Sequence, residues 1–163
     1  MPSDAETRVQ ERPGDHQEEL RLWLRLLTCS TMIESEIRTR LRGRFDVTLP
    51  RFDLMAQLDK VPAGMTLGEL SRRMMVSNGN ITGLVEALVR LGLVAREAHA
   101  TDRRATLVRL TAAGRASFGA MAAEHGDWIG SLFAGLDAAE ILLLMKLLGR
   151  MKGSVRQATA PQT

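Results

Sequence analysis

Hydrophobic residues follow one another at helical spacing along most of the chain, and the spacing changes only once. From residue 15 onward, apolar residues lie three or four positions apart, as they do on one face of an α-helix. Two short runs, 93–97 and 105–110, instead have the composition and length of β-strands, and they flank a basic loop. This pattern predicts a mainly α-helical fold with one small β-hairpin.

The N-terminal helix is predicted to be long and apolar on two faces. Asp15 and Glu18 have the spacing of a capping box at its start. One apolar stripe comprises Leu22, Leu26, Cys29, Ile33, Ile37 and Leu41, and a second comprises Leu20, Trp23, Leu24, Leu27 and Thr31. Because one neighbouring helix cannot cover two faces, we expect the N-terminal helix to contact a second subunit as well.

Helix-start signals divide the next part of the chain. Thr48 is placed as the N-cap of a second helix, and Thr66 with Glu69 forms a capping-box sequence before a short third helix. The apolar residues of that short helix are Leu67, Leu70, Met74 and Met75. After a tight turn, Ser77 is the expected N-cap of a longer helix that ends at Gly92. Two helices joined by a tight turn predict a helix-turn-helix.

Composition excludes several classes of protein. None of the apolar runs among the 163 residues approaches the ~18 that a membrane span needs. The polar, acidic N-terminus lacks the features of a secretory signal, so we expect a cytoplasmic protein. Cys29 is the only cysteine and the three histidines are far apart, which argues against a disulfide framework or a metal site. No catalytic triad, phosphate loop or dinucleotide motif is present, so neither an enzyme nor a cofactor is predicted.

Charge is distributed unevenly along the chain. Residues 1–20 carry a net charge of −4, whereas the remainder carries +7. Nineteen of the 22 basic residues are Arg, whose planar guanidinium suits phosphate groups and guanine edges. A basic body predicts a polyanionic partner.

The order of elements around the hairpin is that of a winged helix-turn-helix, in which the second helix of the pair enters the major groove and the hairpin reaches a minor groove. From Thr66 to Ala113 the sequence resembles the DNA-binding core of the MarR family of bacterial transcription regulators. The most specific fragment is Asp102-Arg103-Arg104 followed by Leu107, Leu110, Thr111 and Gly114, which matches the D-x-R and L-T-x-x-G pattern of the family's wing.

The resemblance implies an organisation for the whole chain. Helices from both termini would form the homodimer, and the winged helix-turn-helix would bind a palindromic double-stranded operator. The expected segments are a disordered tail at 1–14, a dimerisation helix at 15–47, the DNA-binding region at 48–113, dimerisation helices at 114–156 and a tail at 157–163. The implied function is that of a regulator, in our interpretation a repressor, which a small effector releases from DNA by shifting the spacing of its two reading heads.

Polar and basic residues of the winged core are the candidates for DNA contact. They are Thr66, Arg72, Arg73, Ser77, Asn78, Gly79, Asn80, Thr82, Arg96, Asp102, Arg103 and Arg104. An Asn at the start of a reading helix suits bidentate contact with adenine. The resemblance further implies that Arg104 enters the minor groove while Asp102 holds the wing by an ion pair.

Structural roles compete with several of these assignments. Ser77 is a helix N-cap on any interpretation, and Arg72 with Arg73 could form merely a solvated face. Arg90 is expected to pack its stem on the protein or to pair with Glu86, one helical turn away, rather than to touch DNA.

A second cluster of arginine, aromatic and Met residues is the candidate effector site, because family pockets lie between the dimerisation and DNA-binding parts. Its members are Trp23, Met32, Arg38, Arg40, Arg44, Phe45, Arg51, Phe52, Met55, His125 and Trp128. Cations beside aromatic rings suit an aromatic carboxylate or its acyl-CoA thioester. The alternative is that the arginines pair with acids on solvated helix faces and that the apolar members are plain core.

Two other functions remain as alternatives. Cys29 could sense an oxidant, as in one branch of the family, but its apolar stripe and the absence of tyrosine favour a small buried hydrophobe. The apolar helices could also serve a protein-interaction module that does not recognise DNA.

Overall fold

The computed structural model describes residues 16–98 and 106–160 of the chain. Over these residues it contains six helices and three short strands. The helices are α1 (Gln17–Phe45), α2 (Leu49–Asp59), α3 (Leu67–Met74), α4 (Asn78–Arg90), α5 (Ala112–Leu132) and α6 (Ala138–Ala158). The strands are β1 (Met65–Thr66), β2 (Val94–Ala98) and β3 (Thr106–Leu110). The predicted fold, mainly helical with a small hairpin, is confirmed.

The three strands form one antiparallel sheet in the order β1-β3-β2. In the hairpin, Val94 lies opposite Leu110 and Ala98 opposite Thr106. Strand β1 pairs with the other edge of β3, with Met65 opposite Val108. The sequence pattern did not predict β1, because two residues are too few to establish the alternation of a strand.

The described residues divide into two compact units, with the boundary between His125 and Gly126. The core of the first unit is formed by apolar side chains from α1 to α5 and the sheet. Its fully buried members are Leu41, Leu54, Met55, Leu58, Met65, Leu70, Ile81, Val85, Leu88, Val108 and Met121. Burial of one such side chain contributes roughly 1.5–3 kcal/mol, so this layer holds the helix-turn-helix against the hairpin.

The beginning of α5 is pressed against the segment before the hairpin. A Cβ added at Gly114 would lie 1.9 Å from the carbonyl oxygen of Leu93, so only glycine permits this approach. The Thr111 hydroxyl donates to the carbonyl of Gly92 (2.7 Å) and accepts from the backbone N–H of Gly114 (2.9 Å). Thr111 therefore caps α5 and also ties it to the end of α4.

The second unit contains the last part of α5 and the whole of α6. Asp137 and Glu140 form a capping box at the start of α6, with distances of 2.9 Å in both directions. Every residue of α6 is exposed, including eight large apolar side chains from Ile141 to Met151 and Val155 beyond them. None of the described helices is long and apolar enough to cross a membrane.

Several local expectations need correction. Helix α1 begins at Gln17 with His16 in the N-cap position, where no side-chain hydrogen bond is made, and Asp15 lies outside the described residues. Thr48 occupies the N-cap of α2, but its side chain makes no capping hydrogen bond. Cys29 was expected to be buried but is exposed. The buried residues of α1 are Ile37 and Leu41, which lie in its C-terminal half.

Candidate nucleic-acid interface

The start of α3 is fixed by the predicted capping box. The hydroxyl of Thr66 accepts from the backbone N–H of Glu69 (3.2 Å), and the Glu69 carboxylate accepts from the backbone N–H of Thr66 (2.7 Å) and from its hydroxyl (2.9 Å). The hydrogen bond from the Thr66 backbone, followed by that from its side chain, lowers the pKa of the Glu69 carboxyl. The Thr66 hydroxyl is thus engaged within its own helix.

The turn between α3 and α4 is closed by Ser71. Its hydroxyl donates to the carbonyl of Val76 (2.6 Å), and its carbonyl accepts from the backbone N–H of Val76 (3.2 Å). The turn passes through Met75, which has a left-handed backbone with φ 55° and ψ 39°. Met75 was grouped with the apolar residues of α3, but it lies beyond the helix end and is exposed.

The first residues of α4 present short polar groups to solvent. Ser77 is the N-cap, and its hydroxyl accepts from the backbone N–H of Asn80 (3.3 Å). Asn78, Gly79 and Asn80 are exposed, whereas the half-buried Thr82 donates its hydroxyl to the carbonyl of Asn78 (2.9 Å). The exposed Asn side chains are therefore available to meet a partner, while Ser77 and Thr82 have structural duties.

The elements before and after α4 each carry arginines. Arg72 and Arg73 are exposed at the end of α3. On the hairpin, Arg96 approaches Glu86 at 4.0 Å. Strand β2 thus brings Arg96 to Glu86, the acidic residue that was considered as a partner for Arg90.

The base of the wing is stabilised by a cross-strand ion pair between Arg109 and Glu97. The pair is diagonal across the two strands, because Arg109 lies opposite Ala95 and Glu97 lies two positions further along, opposite Leu107. Three members of the predicted DNA-contact set, Asp102, Arg103 and Arg104, lie outside the described residues.

The candidate effector residues of the first unit separate into a ring cluster and a set of ion pairs. The ring of Phe52 lies 5.4 Å from that of Phe118 and 5.0 Å from that of His125. Phe52 and Met55 are buried, whereas Phe45 and Arg51 are half-buried. Phe118 was missed by the sequence reading, although it stands seven residues before His125 and so on the same face of α5.

The three candidate arginines of α1 have acidic partners. Arg38 pairs with Glu34, Arg40 with Glu36 (2.6 Å) and Arg44 with Glu124 of α5 (3.1 Å). The first two pairs join neighbouring turns of one helix, as the alternative interpretation anticipated. The third joins two helices and could not be predicted from local spacing.

An acidic group lies beside the ring cluster. Desolvation raises the pKa of the Asp53 carboxyl above its ordinary value, although the residue as a whole is exposed; His125 opposes this shift and Glu34 adds to it. Asp53 was not among the candidate residues, because a single Asp on a helix carries no sequence signal.

The other candidate effector residues are on α1 and α5. Trp23 and Met32 are exposed on α1, with 56% and 67% of their surface accessible. Met32 lines a shallow groove on α1 together with Leu27, Thr28, Thr31, Ser35 and Glu36. Trp128 belongs to the second unit.

Known proteins with similar sequences identify the family of this chain. The MarR family model matches residues 45–105, which include the helix-turn-helix and most of the hairpin. The transcriptional activatory protein BadR of Rhodopseudomonas palustris is 32% identical over 139 residues, covering 81% of this chain and 79% of BadR. The chain belongs to the MarR family. Membership makes it a transcription regulator rather than an enzyme, as predicted.

Solved MarR-family structures agree with the fold of this MarR-family regulator. A transcriptional regulator from Silicibacter pomeroyi is 27% identical with a TM-score of 0.75, covering 88% of this chain and 99% of its own. A mutant MarR from E. coli, complexed with operator DNA, is 24% identical with a TM-score of 0.74, covering 85% of this chain and 99% of its own. At that identity the E. coli complex supports the fold alone.

Proposed function

We propose that this MarR-family protein is a cytoplasmic, homodimeric transcription regulator that binds a palindromic DNA operator and is released from it by a small effector. The observation that carries the proposal is the start of α4, where Asn78, Gly79 and Asn80 are exposed and Arg72 and Arg73 lie on the preceding helix. Short polar groups at a helix start reach base edges, and arginines hold phosphates. The related E. coli protein, whose structure contains operator DNA, has the same fold.

The work is divided along the chain in this proposal. Residues 48–113 read DNA, whereas 15–47 and 114–156 join two copies. The exposed apolar side chains of α1 and α6 are the surface that the second copy covers. Two copies related by a two-fold axis then present two α4 helices to successive turns of the duplex.

DNA recognition is tested on a duplex selected by the protein from a random pool. Arg72→Gln should weaken binding to all sequences and reduce the slope of log K against log salt by about one. Asn78→Ala should instead weaken the selected sequence by roughly 1–3 kcal/mol and leave non-specific binding unchanged. Arg21→Gln, on the N-terminal half of α1, is the matched control for charge. Failure to select any sequence, with binding that merely follows salt, would favour the interaction module.

The effector in this proposal is an aromatic carboxylate or its acyl-CoA thioester. Support comes from the rings of Phe52, Phe118 and His125 and from Arg44, which already holds a carboxylate, that of Glu124. An effector carboxylate would compete with Glu124 for Arg44 and thereby loosen α1 from α5.

Effector release is tested by adding benzoate, larger aromatic acids and their CoA esters to the operator complex. We expect these compounds to release the wild type. Because Arg44→Gln removes the same α1–α5 ion pair, we expect this variant to bind the operator more weakly without effector and to show no further response to it. Indifference of the wild type to all of these compounds contradicts the assignment. Whether release raises or lowers transcription is measured on the same operator; we propose repression, although the relative BadR is described as an activatory protein.

One observation favours a redox alternative. Cys29 is exposed in the described chain, so its thiol is accessible before a partner covers α1. If Cys29→Ser abolished release by peroxide while DNA binding survived, oxidant sensing would replace the aromatic effector.

A further inference from the structure

Met75 combines two features that are each unusual for methionine. It is 92% exposed, the highest value among the large apolar side chains that the structure describes. Its backbone is left-handed, with φ 55°. Left-handed backbone is disfavoured for a residue with a long side chain, and glycine or asparagine would adopt it at lower cost.

The local structure gives no reason for methionine at this place. The turn is held by two hydrogen bonds between Ser71 and Val76 and by one from the backbone N–H of Met75 to the Ser71 carbonyl, so Met75 contributes only its backbone, which any residue other than proline would supply. The side chain is not part of the core. A contrast is Asp46, the C-cap of α1, which has nearly the same φ of 53° but carries a short polar side chain that tolerates it.

The position of Met75 indicates where a partner would be. It follows Arg72 and Arg73 on α3 and precedes the N-cap Ser77 by two residues, so it lies between the proposed phosphate contacts and the proposed base-reading residues. Strained backbone that the fold maintains is concentrated at binding sites.

We infer that Met75 is a DNA-contact residue whose thioether side chain packs against the C5-methyl group of a thymine in the operator. The inference rests on the proposed function and adds to it a sequence preference. The thymine methyl is the apolar group of the major groove, and a flexible, polarisable side chain adapts well to it. Because Met75 is uncharged, it contributes no phosphate contact and no counterion release.

The contact is tested by removing either side of it. The probe is the selected operator duplex, with each thymine replaced in turn by uracil, which lacks only the methyl group. Wild-type protein should lose roughly three- to tenfold in affinity at one thymine in each half-site, in keeping with the modest strength of a single apolar base contact. Met75→Gly should lose the same factor on the unmodified operator and should be insensitive to uracil at that position.

Additional variants separate the contact from a structural effect. Met75→Gly should raise the melting temperature because it relieves the left-handed backbone, and Asp46→Gly should do the same without weakening operator binding. Met75→Leu should retain affinity. The salt slope of Met75→Gly should equal that of the wild type, in contrast to Arg72→Gln.

Each contrary outcome has a defined meaning. Equal affinity of Met75→Gly and wild type, or a uracil effect that persists in Met75→Gly, overturns the contact while leaving DNA binding intact, since Arg72→Gln would still weaken it. Unchanged DNA affinity with altered transcription in a purified system would assign Met75 to a protein partner and also overturn the inference. If no operator is selected and Arg72→Gln has no effect, the proposed function fails and this inference fails with it.

Discussion

Single residues determine the closest approaches in this fold. Gly114 allows α5 to touch the backbone of Leu93, while Gly119, one and a half turns further along the same helix, has no atom within 4 Å of an added Cβ. The two glycines share a helix and differ in their surroundings. Glycine is thus required at the first position and merely tolerated at the second.

Gly114→Ala is expected to destabilise the protein by about 1–3 kcal/mol, because the new methyl group must displace the Leu93 carbonyl. Gly119→Ala should stabilise it by up to about 1 kcal/mol through helix propensity alone. Chemical denaturation of both variants checks the pair. Equal effects of the two substitutions would show that α5 does not approach Leu93 as described.

Asp53 makes stability depend on pH. Because its folded-state pKa is raised, folding favours the neutral carboxyl; that contribution is present below the ordinary carboxyl pKa and is lost as the pH rises through the folded-state value. Asp53→Asn should therefore raise the melting temperature at pH 7, and the gain should disappear in acid. Melting curves of both proteins from pH 3 to pH 8 measure this, and a gain that is constant with pH would contradict the desolvation of Asp53.

At the scale of elements, side-chain hydrogen bonds stabilise the starts of several helices. The capping boxes of α3 and α6 are complete, and Thr111 caps α5. By contrast, α1 and α2 begin without a side-chain cap, so packing rather than local hydrogen bonds sets where they start.

Thr66→Ala should lower the free energy of unfolding by about 1 kcal/mol, the usual cost of a lost N-cap. Thr66→Ser should retain most of the stability because it keeps the hydroxyl. The hydrogen bond from the Thr66 backbone, and after it that from its hydroxyl, lowers the pKa of Glu69, so the contribution of the ionised carboxylate is present at neutral pH and is lost as the pH falls through the folded-state value. Only the hydroxyl part is missing in Thr66→Ala, so the difference between variant and wild type should narrow in acid but persist, because the N-cap bond to the Glu69 N–H does not titrate. Denaturant titrations at pH 7 and pH 3 test both statements.

Elements with local signals were predictable and contacts between distant elements were not. The helix-turn-helix, its caps and the hairpin follow from spacing and cap residues near Thr66, Ser77 and Thr111. Strand β1, the Arg96 approach to Glu86 and the Arg44 pair with Glu124 depend on tertiary placement, which one-dimensional periodicity does not encode. The burial of Cys29 was misjudged for a related reason, because an apolar stripe does not reveal whether its cover comes from the same chain.

At the scale of the whole molecule, exposed apolar surface is concentrated on helices near both ends of the sequence. Leu20, Leu22, Trp23 and Leu27 of α1 are exposed, as are the apolar residues of α6. A monomer in water would leave this surface wet, which favours association with a second copy. Operator binding by two linked reading heads would gain strongly from that association.

If the chain dimerises as proposed, the double substitution Leu144→Glu and Leu148→Glu should yield a monomer, because it places two charges one helical turn apart in the proposed interface. Operator affinity should fall by roughly a hundredfold or more through loss of the second reading head. Lys146→Glu on the same helix is the control for added negative charge. Sedimentation equilibrium and operator titration provide the readouts, and a wild-type chain that sediments as a monomer would refute the dimer.

The Thr111 hydroxyl joins the end of α4, which we propose to contact DNA, to the beginning of α5, which we propose to belong to the dimerisation region. The hydroxyl donates one hydrogen bond to the Gly92 carbonyl, which follows α4, and accepts another from the Gly114 N–H in the first turn of α5. A side chain at position 114 would not fit between α5 and the Leu93 backbone. These close contacts leave little room for α5 to move independently of the end of α4. We therefore expect a tilt of the beginning of α5 to change the orientation of α4.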